Sequence, residues 1–448
     1  MNDKPTGTVV TRFAPSPTGV LHMGGLRTAL FSYLYAKQNA GKFVLRIEDT
    51  DKARNKQEWT DGLIDDLAWL GLTHDEKFIQ SERAPIHKKY LEKLIADGFA
   101  YISKEEVKEE GQRDEVIRFK NPGKKVTFTD LIRGEMEVDT TDLGNFVIAR
   151  SIDEPVYHLA VVIDDFEMGI THVIRAEEHL SNTPRQILIQ EAIGATRPVY
   201  AHLPLVLAPD RTKLSKRKHA DISSLTFFRE KGYLPEALIN FVALLGWNPG
   251  TDQEILSMQE LIEKFDLSKV QKGGAIFNID KLNWLNKEYI KRMGVSEQKT
   301  GILPFVPEQF QTPVLDTILS LIVDRINTFG DTNNIFETGE LDFFFKKPEY
   351  TKEKLLWKDE PSFEKTAERL LHVSSLLEAG ETDWALAETI KSRVWDYATE
   401  QGRGFVLWPM RYALSGKDKS PDPFTLAAVL GKTETLIRIK EAIDTLRK

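Results

Sequence analysis

The sequence predicts an α/β fold built on a parallel sheet, with a small α+β insertion and an all-helical C-terminal region. The first observation is that β-rich segments at residues 8–13 and 43–47 flank a stretch whose apolar residues recur at helical spacing, which is the pattern of a strand-helix-strand unit. The second is a short, charged, β-like stretch over residues 101–149. The third is that helical patterns dominate the chain beyond residue 246.

Length and composition indicate a folded protein of several domains. A chain of 448 residues exceeds what one hydrophobic core supports, so two to four domains are expected. Hydrophobic residues at 41% and charged residues at 29% are near the averages for globular proteins. No apolar run approaches the ~18 to 20 residues that span a bilayer, and the first residues lack a signal-peptide core. We therefore expect no membrane partner and a cytoplasmic location.

The cysteine content and the net charge bear on metal binding and on nucleic-acid partners. The chain has no cysteine, so a thiolate zinc site is excluded and no disulfide indicates an oxidising compartment. The net charge of −8 argues weakly against a nucleic-acid partner, because phosphate contacts need Lys and Arg. An acidic protein can still carry a local basic patch, and residues 211–218 supply one. Charge alone therefore leaves RNA binding open.

The first strand predicts a phosphate site where it turns into a helix. Prolines and a glycine within residues 12–19 rule out both continued β-sheet pairing and a helix, so the strand ends in a turn. Gly24 and Gly25 then stand at the start of a helix, which Gly41 is expected to stop as its C′ residue. Backbone N–H groups at a helix start bind anions, and His22 adds a donor there. An ordinary strand-turn-helix corner is the alternative.

The longer motif favours the phosphate site. The run Leu-His-Met-Gly-Gly at residues 21–25 resembles the His-x-Gly-x signature of class I aminoacyl-tRNA synthetases. The preceding Arg-Phe-Ala-Pro-Ser-Pro-Thr-Gly, residues 12–19, resembles the form found in glutamyl-tRNA synthetases. Gly25 stands where many class I enzymes have a histidine, and glutamyl enzymes commonly carry glycine there. The resemblance implies that His22, Gly24 and Gly25 bind ATP.

Acidic residues follow the second strand. Carboxylates at the carboxyl ends of parallel strands face the ligand crevice, so Glu48 or Asp49 is a candidate for a substrate cation. The alternative is that Asp49 and Asp51 cap the next helix, and capping is the role that we expect for Asp51. The run Arg-Ile-Glu-Asp-Thr-Asp at residues 46–51 resembles the glutamyl family, and implies that Glu48 holds the amino group of glutamate.

Two further apolar runs predict strands of the same sheet. Residues 156–165 read as a buried strand with acids at its end, and residues 170–178 repeat the pattern. Tyr157 is by itself more often a core residue, and Arg175 a surface residue. Resemblance to the family's Tyr-His-Leu-Ala and Ile-Arg-Ala-Glu segments implies that both bind substrate instead.

A carboxylate substrate calls for arginine, which offers a planar two-point contact. Arg12 and Arg175 are therefore candidates for the side-chain carboxylate of glutamate. Ser16, within the first motif, is assigned to the glutamate site by the same resemblance.

A basic cluster, Lys-Leu-Ser-Lys-Arg at residues 213–217, follows the strand predicted at 203–207. A solvated basic loop is the simplest interpretation of such a cluster. Its position resembles that of the Lys-Met-Ser-Lys-Ser signature of class I synthetases, with Arg217 in place of the last serine. The resemblance implies that Lys213, Ser215 and Lys216 bind ATP, and that the two lysines are catalytic with His22.

The resemblance also implies a domain order. Residues 1–100 and 150–225 would form a split Rossmann-like catalytic domain, and 101–149 a shortened, zinc-free insertion that binds the acceptor stem. Residues 226–310, which open with a proline-started helix, would form a helical domain that contacts the stem. Residues 311–448 would form the helical anticodon-binding domain.

The implied activity is ATP-dependent attachment of L-glutamate to tRNA(Glu) through a glutamyl-adenylate, with Mg²⁺ accompanying ATP, no zinc, and a monomeric enzyme. The alternatives within the class are an enzyme that also charges tRNA(Gln), and a glutaminyl-tRNA synthetase, which the helical tail disfavours. A glutamyl transferase acting on a tRNA base and a small nucleotidyltransferase both lack such a tail. A non-catalytic RNA-binding paralogue is disfavoured by His22, Lys213 and Lys216.

Overall fold

The computed structural model describes residues 7–50, 54–106, 114–214, 224–358, 360–380 and 382–448. The chain divides into two compact units, Met1–Tyr289 and Ile290–Lys448. All of the described strands lie in the first unit, and the regular structure described in the second is helical. The predicted α/β fold with a helical C-terminal region is confirmed.

The strands of the first unit form two main sheets. In chain order they are β1 Val10–Phe13, β2 Lys42–Ile47, β3 Glu76–Ile79, β4 Ala100–Lys104, β5 Glu115–Phe119, β6 Lys125–Asp130, β7 Gly134–Asp139, β8 Phe146–Ser151, β9 Glu154–Pro155, β10 His172–Ala176, β11 Val199–Leu203, β12 Val206–Leu207 and β13 Ala275–Ile276. Among the described residues, seven strands make one sheet in the order β3-β2-β1-β10-β11-β6-β7. They are parallel except for β7, which runs antiparallel to β6.

Helices cover both faces of this sheet. Those between or beside its strands are α1 Met23–Gln38, α2 Gln57–Trp69, α3 Ala84–Ala96, α4 Tyr157–Glu167 and α5 Thr183–Ile193, and further helices run over Leu225–Glu230, Pro235–Leu244, Met258–Lys264 and Ile279–Arg292. One apolar core lies around α1, and a second contains side chains of α3, α4 and α5. Each fully buried leucine or phenylalanine contributes about 1.5 to 3 kcal/mol to this packing.

The prediction of a strand at residues 156–165 is wrong, because this segment forms helix α4. Seven consecutive residues from Leu159 to Asp165 are buried, so this part of the helix is covered by neighbouring segments on all sides. A continuous Val/Ile-rich run is the pattern of a buried strand and of a fully buried helix alike, and periodicity does not separate the two. The acids of this run therefore project from a helix, not from a strand end.

The end of α1 also differs from the prediction. The residue with left-handed backbone after the helix is Ala40, at φ 51°, and not Gly41. Gly41 is instead required by close packing, since a Cβ atom there would lie 2.1 Å from the carbonyl oxygen of Val9. Gly41 also donates its N–H to Ala36 O, 2.8 Å away, so it still takes part in ending the helix.

The segment predicted as an insertion, residues 101–149, contributes to two sheets. Strands β4, β5, β8 and β9 form a separate antiparallel sheet in that order. Strands β6 and β7 join the edge of the main sheet, where Asp130 pairs with Tyr200 of β11. The segment predicted as one strand over 203–207 is likewise two, β11 and β12, and β12 pairs with β13.

The second unit is built from helices over Val295–Ile302, Pro313–Val323, Asp331–Glu337, Phe363–Glu378, Ala387–Gln401, Arg403–Ser415 and Pro423–Arg447. The last of these is bent at Gly431, whose φ of 73° is not helical. Arg438 is buried here and donates to the carbonyl oxygens of Phe343 and Leu414, which joins three segments of the unit. Within the described ranges, no helix has both the length and the apolar character needed to cross a bilayer.

Candidate active site

A cavity of 510 Å³ opens at the carboxyl edge of the main sheet, where β1 and β10 are neighbours. The chain order reverses at this point, since β2 and β3 lie on one side of β1 and β10 and β11 on the other. Ligands of open α/β sheets bind in the crevice at such a reversal. The predicted site residues that line the cavity are Arg12, Ser16, His22, Gly24, Gly25, Glu48, Tyr157, Arg175 and Lys213.

The start of α1 forms one wall of the cavity. His22 is the N-cap residue, and its Nδ1 accepts a hydrogen bond from the N–H of Gly25 at 3.0 Å. In a neutral ring the proton is then on Nε2, so that nitrogen is a donor. The dipole of α1 and its first backbone N–H groups favour an anion at this wall.

The two glycines let the histidine ring lie over the first turn. A Cβ atom at Gly24 would come within 3.3 Å of the ring of His22, and one at Gly25 within 3.0 Å of Leu21 Cδ1. Side chains at either position would therefore crowd the capping ring or the leucine behind it. With glycine at both positions, the histidine ring can cap the helix and a ligand can approach the helix start.

A buried ion-pair network lies behind the end of β1 and β2. Arg12 Nε and Arg46 Nη1 both donate to Asp165 Oδ1, at 3.2 and 2.7 Å. Arg46 also donates to Glu48 Oε1 from Nε and Nη2, at 3.3 and 3.0 Å. Burial raises the pKa of Glu48, against the opposing effect of Arg46. A cation placed beside Glu48 would stabilise its ionised form.

Arg175 differs from Arg12 in having no carboxylate within ion-pair distance among the described residues. Its Nε donates to His202 and its Nη2 to Thr183, while Nη1 is buried without a hydrogen-bond partner in that part of the chain. Burial lowers the pKa of Arg175, and the charge of Arg12 acts in the same direction. An anion in the cavity would offset both effects.

Tyr157 and Ser16 complete the wall around the two arginines. The hydroxyl of Tyr157 lies 3.1 Å from Nδ1 of His179, and burial raises its pKa. Burial together with Arg175 lowers the pKa of His179 to about 4, so its ring is neutral near neutral pH. Ser16 is exposed at the cavity mouth.

In the described chain, no group of three or more His, Cys, Asp or Glu side chains is placed to hold a metal ion.

Lys213 lines the same cavity and forms an ion pair with Glu178. Both side chains are about half exposed, and the hydrogen bond from Lys213 lowers the pKa of Glu178. Ser215, Lys216 and Arg217 of the same basic cluster lie outside the described residues.

Sequence reasoning missed the contacts of two buried acids of α4, Asp164 and Asp165. Asp165 binds Arg12 and Arg46, and Asp164 accepts hydrogen bonds from Gln80 and Arg83 at 2.9 and 2.7 Å. The two acids were visible at the end of the apolar run, but their contacts depend on α4 being a helix. Asp49, the alternative to Glu48, instead accepts the N–H and the hydroxyl of Ser81, at 2.8 and 2.6 Å.

Comparison with known families agrees with this arrangement. The catalytic-domain model of class I tRNA synthetases (E and Q) matches residues 8–110 and 102–284, and an anticodon binding domain model matches residues 279–443. The fold and the cavity at the strand reversal thus define a class I tRNA synthetase.

Individual proteins that are similar to this chain identify its family within this class. The chain is 40% identical to the glutamate–tRNA ligase of Carboxydothermus hydrogenoformans, over 96% of this chain and 99% of that protein. It is 37% identical to a glutamate–tRNA ligase of Geobacter sulfurreducens over 98% and 99%. A crystal structure of a glutamate tRNA ligase from Elizabethkingia meningosepticum, in complex with its amino acid, has a TM-score of 0.86 at 34% identity and covers 98% of this chain and 100% of that one. The chain belongs to the glutamate–tRNA ligase family.

Proposed function

We propose that this protein attaches L-glutamate to tRNA(Glu), using ATP and forming AMP and diphosphate. One observation carries the choice of amino acid. Arg175 is 5% exposed, lines the cavity and has no carboxylate partner among the described residues, so the cavity holds a buried positive charge that an acidic ligand would neutralise. Membership of the family supports the same conclusion.

Glutamate would bind with its charges matched to the cavity. Arg175 and Arg12 are the groups for its side-chain carboxylate, because guanidinium makes a planar two-point contact with a carboxylate. Glu48 is the group for its ammonium, with Tyr157 and Ser16 beside it. Arg12 is held by Asp165 and therefore offers a fixed donor, whereas Arg175 offers the unpartnered Nη1.

ATP, with Mg²⁺, would bind along the start of α1. His22 offers its Nε2 proton, and Gly24 and Gly25 leave the first turn open to phosphate oxygens. Lys213 would turn to the phosphates after leaving Glu178, together with Ser215 and Lys216 of the same cluster. These groups supply the positive charge that a polyphosphate requires.

The first step joins two anions. The α-carboxylate of glutamate attacks the α-phosphorus of ATP, the bond to the β-phosphate oxygen breaks, and glutamyl-adenylate and diphosphate form. His22, Lys213 and Lys216 stabilise the charge on the phosphoryl oxygens in the transition state. His22 is already held at the helix start, and a donor that is in place beforehand costs no reorganisation during the reaction.

The second step needs no protein nucleophile. A hydroxyl of the 3′-terminal adenosine of tRNA attacks the carbonyl carbon of the adenylate, and AMP leaves. The helical domain matched by the anticodon model would bind the other end of the tRNA. We further propose that the enzyme acts in the cytoplasm as a monomer.

Charging assays with purified tRNA(Glu) and tRNA(Gln) test the function. We expect ATP- and glutamate-dependent charging of tRNA(Glu), and diphosphate exchange with glutamate that requires tRNA. Charging of tRNA(Gln) at a similar kcat/KM would identify a non-discriminating enzyme. Absence of glutamate-dependent charging of either tRNA would contradict the proposal.

A further inference from the structure

A chain of buried polar groups leads from Arg175 away from the cavity. Nε of Arg175 lies 3.1 Å from Nε2 of His202, and Nδ1 of His202 lies 2.6 Å from Oδ2 of Asp130. The residues Arg175, His202 and Asp130 are 5%, 0% and 1% exposed. They come from the adjacent strands β10, β11 and β6, so the sheet itself sets their spacing.

The contact with Arg175 fixes the tautomer of His202. A guanidinium nitrogen is always a donor, so Nε2 of His202 has to accept, and in the neutral ring Nδ1 then carries the proton. That proton is donated to Asp130. Burial lowers the pKa of His202, and Asp130 offsets this only in part, which keeps the ring neutral near neutral pH.

Asp130 is itself held as a carboxylate. Burial alone would raise the pKa of Asp130, but hydrogen bonds from His202 and from the backbone N–H of Arg133 lower it overall. Its oxygens also accept the backbone N–H groups of Ile132, at 2.9 Å, and of His202, at 3.0 Å. With these donors around it, the carboxylate cannot turn away from the imidazole.

Thr183 completes the support for Arg175. Its hydroxyl accepts from Nη2 of Arg175 at 2.8 Å and lies 3.1 Å from Nε2 of His202. Two of the three guanidinium nitrogens are thus fixed by His202 and Thr183. The third, Nη1, is the nitrogen that has no partner within the described residues.

We propose that Asp130 and His202 are positioning residues that hold Arg175 with Nη1 presented to the acidic side chain of the substrate. Asp130 selects the tautomer of His202, and His202 orients the guanidinium. A fixed guanidinium favours a carboxylate over an amide, so the pair also sets the preference for glutamate over glutamine. The inference rests on the proposed glutamate site.

The test compares variants of the full-length enzyme in diphosphate exchange with saturating tRNA, measuring KM for glutamate and for ATP. His202→Leu removes a hydrogen bond to a charged group and should raise KM for glutamate by about 10-fold or more, with little change in KM for ATP. Asp130→Asn should act in the same direction, because an amide N–H facing Nδ1 favours the wrong tautomer. His202→Gln keeps an acceptor for Arg175 and should recover most of the affinity.

His172→Leu is the matched control. His172 is also a buried histidine of the main sheet, but it contacts Tyr35 and Thr171 and not Arg175. We expect its KM for glutamate to stay near that of the parent. Preference for glutamate over glutamine, measured as a ratio of kcat/KM, should fall in His202→Leu and not in His172→Leu.

Two results would overturn the inference: an unchanged KM for glutamate in both His202→Leu and Asp130→Asn, or an equal rise in KM for glutamate and for ATP. If His202→Leu fails to fold, Asp130→Asn and His202→Gln decide.

Arg175→Lys separates this inference from the proposed function. A raised KM for glutamate in Arg175→Lys, with no effect of the Asp130 and His202 variants, removes only the positioning pair. An unchanged KM in Arg175→Lys contradicts the glutamate site itself.

Discussion

Nε of Arg12 lies 3.2 Å from Oδ1 of Asp165, and the two side chains are 5% and 7% exposed. Asp165 also binds Arg46, so one carboxylate holds an arginine of the cavity wall and an arginine of the core. Removal of one partner from such a buried network leaves charge without compensation, which costs more than loss of an exposed ion pair.

We therefore predict that Asp165→Asn lowers the free energy of unfolding by about 3 kcal/mol and raises KM for glutamate. The amide keeps the shape of the carboxylate and loses its charge, so Arg12 and Arg46 repel each other without a shared anion. Urea unfolding measures the first effect. The control is Asp65→Asn, whose pair with Arg229 is 64% and 44% exposed and which should change stability by less than about 1 kcal/mol. Equal losses in the two variants would contradict the prediction.

A second prediction separates the two roles of His22. His22→Ala removes both the N-cap acceptor and the Nε2 donor, so it should lower stability by about 1 kcal/mol and the activation rate by about 10². His22→Asn keeps an acceptor for the N–H of Gly25 and should restore stability but not rate, because asparagine is a good N-cap. Thermal melting and diphosphate exchange are the measurements. A fully active His22→Asn would limit His22 to the cap.

A third prediction concerns the basic cluster. Lys213→Ala should reduce the activation rate by about 10² while changing stability by less than about 1 kcal/mol, since its pair with Glu178 is about half exposed. Lys216→Ala should have a similar effect on rate. Both should act more on kcat than on KM for glutamate, because these lysines act mainly in the transition state. An unchanged rate in either variant would remove that lysine from the mechanism.

The sequence predicted most of the cavity wall because the motifs lie at the ends of strands. Arg12, Glu48 and Arg175 follow or end strands of the parallel sheet, and the carboxyl ends of parallel strands meet at one edge. His22 follows from the same reasoning, since it precedes a helix start marked by two glycines.

The groups behind that wall were not predictable in the same way. The sequence predicts a strand that ends at Asp165, because a fully buried helix and a buried strand share an apolar run. Asp130 lies in a segment predicted as an insertion, and it reaches His202 only because β6 joins the main sheet. Such contacts depend on which strands pair across more than 70 positions, and local sequence patterns carry no information on that pairing.

A fourth prediction tests the two arginines of the cavity. Arg12→Lys and Arg175→Lys should both weaken binding of a glutamyl-adenylate analogue, because lysine cannot reproduce a planar two-point contact. Arg12→Lys should also lower stability, since Asp165 loses part of its partner network, whereas Arg175 has no such ion pair in the described chain. Isothermal titration calorimetry measures binding. Arg185→Lys is the control, because Arg185 is half-buried outside the cavity lining and donates to Ser181 O. Unchanged binding in both cavity variants would contradict the pocket assignment.

The last prediction concerns the helical second unit. The compact division falls between Tyr289 and Ile290, within the helix Ile279–Arg292, so a truncation after Gly294 keeps that helix whole. We predict that residues 1–294 form a folded protein that charges tRNA poorly at low tRNA concentration, because the anticodon-domain match at residues 279–443 is almost entirely removed. Affinity for tRNA and its salt dependence should both fall, since phosphate contacts are lost with that unit.

Saturating tRNA separates this loss from damage to the catalytic unit. If activation requires bound tRNA, high tRNA concentrations should partly restore diphosphate exchange in the truncated protein, because the phosphate and glutamate groups all precede residue 217. Filter binding at several salt concentrations measures the affinity, and thermal melting confirms that the fragment is folded. A folded fragment that charges tRNA as efficiently as the parent at low tRNA concentration would show that the second unit does not hold the tRNA.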